Sequence, residues 1–94
     1  MKYNQVTLNK IEKILEESEY VVRYERGNFQ SGYCVLEDRK IVVLNKFLQT
    51  EGRINLLVDL IPTLQIVAAQ LSADVVKTYE EIIQRHETAS NQQQ

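Results

Sequence analysis

Three features of the chain predict an α+β domain: a small three-stranded antiparallel sheet packed on helices, in the order α-β-β-β-α-α. Leu8, Ile11 and Leu15 recur at helical spacing near the start, the mark of a helix with one buried stripe. Three short apolar runs separated by polar or glycine-bearing turns follow between Tyr20 and Leu44. A segment that is apolar almost all round, Ile54 to Ile61, then supplies a helix to cover the sheet. At 94 residues this is one domain, enough for one core with little margin. Residues 1–88 are expected to form it, and the polar residues 89–94 to be a disordered tail.

The first helix is expected over residues 4 to 18, with Ile14 beside the stripe and Lys10, Lys13, Glu16 and Glu17 facing away. Tyr20 to Tyr24 is β-branched and aromatic and reads as a strand. Gly27 and Asn28 mark a turn. The second strand runs from Gly32 to about Leu36, with Cys34 and Leu36 on one face and Tyr33 and Val35 on the other. Glu37 to Lys40 is a polar hairpin turn. Ile41 to Leu44 is apolar on both faces, which places it centrally or under cover on both sides.

Thr50 is the expected N-cap of the second helix, with Glu51 in its first turn where the helix dipole favours an anion. Ile54, Leu56, Leu57, Val58, Leu60 and Ile61 leave only Asn55 and Asp59 as a polar stripe. Such a helix is buried on more than one side, either between the other two helices or against a second subunit. Pro62 ends or kinks it. Residues 64–71 fit either a kinked continuation or an apolar connection tucked under the domain, and the connection is the preferred reading. Ser72 then caps a last helix, Ala73 to about Glu87, whose inner face is Val75, Val76, Tyr79, Ile82 and Ile83.

Composition narrows the function classes. A net charge of −2 gives no global attraction to nucleic acid or anionic lipid. The single cysteine, Cys34, makes no internal disulfide and fits a reducing compartment. No apolar run is long enough to span a bilayer and no signal-peptide order opens the chain, so the expected address is the cytoplasm without membrane association. Asn55 and Asp59 have the spacing of a helical ligand pair but no histidine joins them, so neither metal nor other cofactor is expected. Cys34 mid-strand reads as a small core residue with an inert thiol. His86 reads as a C-terminal helix cap. Glu37-Asp38 and Glu80-Glu81 fit solvated positions, and no phosphate-cradling glycine pattern is present.

Five of the seven aromatics, Tyr20, Tyr24, Phe29, Tyr33 and Phe47, are interleaved with Arg23, Arg26, Arg39, Lys40 and Lys46. An aromatic sheet face with neighbouring cations can stack single-stranded nucleic acid. Glu25, Glu37 and Asp38 dilute that field, so nucleic acid is the lesser alternative. The leading expectation is a cytoplasmic interaction or scaffold module without catalytic activity, binding a protein or a second copy of itself. Its candidate surface is Arg26, Asn28, Phe29, Tyr33 and Asn45, with Phe29 either exposed or anchoring the loop.

The order SGYCVLEDRKIVVLNKFLQTEGRINLLVDLIPTL resembles the core of the ImmA/IrrE-type zinc peptidases. In them a hairpin strand ends in Asn, a short loop follows, and an Arg-led helix carries His-Glu-x-x-His. Asn45, Arg53 and the apolar helix fall in similar positions, but Val58 to Thr63 hold no metal ligand set. The resemblance therefore bears on fold, and implies at most a degenerate peptidase-like protein completed by a partner. The longer string from Val22 to Leu64 resembles small uncharacterised proteins of Bacteroidetes-type bacteria, which implies no activity.

Overall fold

The computed structural model describes residues 1–26 and 33–92. Helix α1 spans Gln5–Glu17 and is capped by Asn4, whose side chain accepts from the Thr7 N–H at 3.0 Å. Its stripe turns inward as the periodicity requires: Leu8, Ile11, Ile14 and Leu15 are all buried. The Ser18 hydroxyl donates to the Ile14 carbonyl at 2.8 Å as the helix ends. Glu19 then takes a positive φ of 67° and turns the chain into the sheet.

The strands are β1 (Val21–Glu25), β2 (Tyr33–Leu36) and β3 (Ile41–Asn45). The sheet is mixed, which corrects the expectation of a purely antiparallel one. Its order is β1-β3-β2, with β1 and β3 parallel and β2 antiparallel to β3. Side-chain character explains the insertion. Val42, Val43 and Leu44 are buried, as suits a central strand, whereas β1 leaves Val21 and Arg23 exposed, as suits an edge. The β2–β3 turn is tight, a 3-10 turn at Glu37–Arg39 followed by Lys40 at φ 53°. β1 and β2 are therefore the two edge strands, on either side of β3.

The register Val22↔Val42 and Tyr24↔Leu44 on one side, Val35↔Val42 and Tyr33↔Leu44 on the other, sets the inner face of the sheet. Cys34 and Leu36 therefore lie on the outer face, away from the helices. Cys34 is half-buried and Leu36 exposed, which corrects the reading of Cys34 as a core residue.

Helix α2 is Thr50–Leu60, with Gln49 rather than Thr50 at the N-cap and no side-chain cap bond. Ile54, Leu57 and Leu60 are buried, and Leu56 and Val58 pack half-buried against the same core. No α2 residue is among the large apolar side chains left exposed. Pro62 sits in a 3-10 turn, Ile61–Thr63, that ends the helix. Residues 64–71 form the expected connection, with one 3-10 turn at Ala68–Gln70. Leu64, Ile66 and Leu71 pack on the core while Val67 is exposed.

Helix α3 runs from Ala73 to Gln92, beyond the expected end near Glu87. Val75 and Ile82 are fully buried and Thr78 joins them, while Tyr79 packs at the margin. Helix α1 packs against both α2 and α3. Glu17 makes the junction firm: one carboxylate oxygen accepts the Ser72 N–H at 2.7 Å and the other the Ser72 hydroxyl at 2.8 Å. Glu17 therefore does not face away, and the Ser72 hydroxyl serves α1 rather than capping its own helix. Among the described residues no helix is long and apolar enough to cross a membrane.

Candidate interaction surface

The carboxyl ends of the parallel strands β1 and β3 lie side by side, Glu25 paired with Asn45. From there the chain diverges, β1 into Arg26 and the β1–β2 connection, β3 into Lys46, Phe47 and the start of α2.

Local hydrogen bonds shape this end. The Asn45 side chain accepts the Phe47 N–H at 2.9 Å, an Asx turn that throws the Phe47 ring outward. Phe47 is 66% exposed, the most exposed aromatic among the described residues. The Arg26 guanidinium lies 5.7 Å and the Lys46 ammonium 5.4 Å from its ring centroid. Neither cation has a carboxylate partner among the described residues, whereas Arg23 is engaged by Glu25 at 2.8 Å.

Behind Phe47 the loop is braced from α2. Arg53 donates from Nε to the Leu48 carbonyl at 2.9 Å and from its terminal nitrogen to the Lys46 carbonyl at 3.1 Å. Its guanidinium lies 4.2 Å from the Tyr24 ring centroid. Tyr24 in turn donates its hydroxyl to Glu12 of α1. Burial, then the bond to Glu12 and its negative charge, push the Tyr24 hydroxyl well above the ordinary phenol range, with Arg53 opposing. A groove of about 610 Å³ is lined by Leu48, Gln49, Thr50, Glu51 and Arg53, the residues that follow Phe47 into α2.

Of the residues singled out in the sequence, Arg26 and Asn45 meet here. Tyr33 lies on the inner face opposite Leu44, half-buried against the core. Asn28 and Phe29 fall outside the described residues. The aromatic and basic cluster read from the sequence held Phe47 and Lys46, but the candidate surface drawn from it left out both, and Arg53 with them. The Asn-x-Phe order after an apolar strand was the available signal.

A second concavity joins the Asn55 and Asp59 stripe to α3. Tyr3, Asn55, Val58, Asp59, Arg85 and His86 line a cleft of about 300 Å³. His86 does not cap the last turn, because α3 continues past it. Asp59 and His86 share this cleft, yet no group of three potential metal ligands converges among the described residues. No family model, no curated protein and no solved structure matches the chain.

Proposed function

We propose that the chain is a non-catalytic interaction module. Its partner is a protein that presents an apolar side chain beside a carboxylate to the strand-end surface of Arg26, Asn45, Lys46 and Phe47. The observation that carries this reading is Phe47, held outward at 66% exposure between two cations that no carboxylate neutralises among the described residues. An exposed aromatic on a braced loop is the kind of anchor on which interface energy concentrates. The groove lined by Leu48 to Glu51 and Arg53, the next residues of the chain, gives such a partner a second point of contact.

The test is photo-crosslinking from Lys46, with the captured protein identified by mass spectrometry and remeasured with purified components. Phe47→Ala is expected to weaken binding by tenfold or more while leaving the fold intact, because the ring is outside the core cluster. Val67→Ala, at another exposed apolar residue, is the control. Equal binding by the Phe47 and Val67 variants would refute the assignment.

The same convergence of Arg26 and Lys46 on Phe47 supports a second reading, weak stacking of single-stranded nucleic acid. That reading predicts binding of short single strands at low salt that weakens with added salt and is lost in Phe47→Ala. No binding at low salt would remove it.

A further inference from the structure

We propose that two copies of this chain associate through the free edge of β1, pairing antiparallel about a two-fold axis at Tyr24. This goes beyond the strand-end surface and rests on the outer backbone of β1 with Arg23 and Glu25, sharing only Arg26 with that surface.

The backbone of β1 is half used. The Val21 N–H donates to the Lys40 carbonyl at 2.8 Å, and the Glu25 carbonyl accepts the Lys46 N–H at 3.0 Å. Residues 21, 23 and 25 thus turn their peptide groups toward β3, and alternation turns those of Val22 and Tyr24 outward. None of these outward groups has a hydrogen bond among the described residues. Such an edge is a template for another strand.

The side chains choose the strand. Arg23 and Glu25 lie two residues apart on the outer face, with 54% and 44% of their side chains exposed. Charges on an edge ordinarily discourage pairing. Here their order makes the edge complementary to itself. About an axis at Tyr24, Arg23 of each copy stands opposite Glu25 of the other, at the closely spaced non-hydrogen-bonded positions. The Tyr24 residues exchange backbone bonds with each other, and Val22 meets Arg26. Moving the axis by one residue to Arg23 sets arginine against arginine, which is unfavourable. The charge pattern therefore fixes orientation and register together. Each Glu25 exchanges its present partner, the Arg23 of its own strand at 2.8 Å, for the Arg23 of the second copy.

The experiment is light scattering over a dilution series of the full chain, at low ionic strength. The wild type is expected to dimerise at micromolar to sub-millimolar concentration. Arg23→Glu and Glu25→Arg each set like charges at two symmetric pairs and are expected to weaken the dimer about tenfold. Mixing the two variants restores the opposite-charge pairs and is expected to give a heterodimer of wild-type affinity, as is the double variant in its homodimer. Both residues are surface-exposed, so circular dichroism is expected to be unchanged. Amide exchange supplies the position: Val22 and Tyr24 slow with concentration, whereas the Arg23 amide, already turned toward β3, does not. A monomer at millimolar concentration, a dimer indifferent to the swaps, or a dimer without protection at Val22 and Tyr24 would overturn the proposal. Partner capture through Phe47 is read separately, so failure of one leaves the other standing.

Discussion

Tyr24→Phe isolates the brace between the sheet and two helices. The substitution keeps the ring, its packing on the core beside Leu44, and a face for the Arg53 guanidinium at 4.2 Å. What it removes is the hydroxyl that Glu12 accepts, leaving a part-buried carboxylate without its donor. A part-buried acceptor stripped of its hydrogen bond costs about 1 to 3 kcal/mol. For a domain near this size that is a fall in Tm of roughly 5 to 15 °C. Urea and thermal unfolding of Tyr24→Phe, Glu12→Gln and the double variant measure it as a cycle. The double variant should lie closer to the wild type than the two single losses sum to, since neither partner is then left charged and alone. Tyr24→Leu should cost more again by losing the Arg53 contact. A Tyr24→Phe effect below about 0.5 kcal/mol, within the range of ordinary surface changes, would show that the hydroxyl and Glu12 do not hold each other in solution.

Two further outcomes follow from the same junctions. The Ser72 N–H and then its hydroxyl hold the Glu17 carboxyl below its ordinary value. The stability it contributes is present above the unfolded carboxylate range and is lost as pH falls through the lower folded value. Glu17→Gln should therefore flatten the acid limb of a stability-against-pH curve, and an unchanged limb would count against the contact. Glu19→Gly should raise stability by about 0.5 kcal/mol in urea titrations. It relieves a non-glycine residue at φ 67° of roughly 1 to 2 kcal/mol of steric cost, offset in part by the freer unfolded chain.

The elements were legible wherever one physical signal dominated. The spacing of Leu8, Ile11 and Leu15 fixes the inner face of α1, and the two-sided apolar run of β3 marks it as central. Pro62 ends α2 where its chemistry requires. The pairing of the strands was not legible. Sequence neighbours suggest a meander, and nothing local says that β3 inserts between β1 and β2. The inner face of β2 is settled by its pairing with Val42 and Leu44 rather than by its own alternation, which is why Cys34 changes sides. Side chains that act across long separations were hidden for the same reason. Glu17 and Ser72 meet only because α1 and α3 pack, and Arg53 finds Tyr24 only because β1 lies beside β3.

The central place of β3 also orders events in time. The β2–β3 hairpin closes over a short turn, but the β1 partner of β3 lies about twenty residues upstream, Val21 facing Ile41. Closing the longer loop costs more chain entropy before any contact rewards it. On a ribosome, β1 and the apolar stripe of α1 emerge first and wait without a strand to pair with until Asn45 has been made. The nascent chain should therefore acquire protected amides at Val21, Arg23 and Glu25 in one step, once the hairpin has formed and presents the second side of β3.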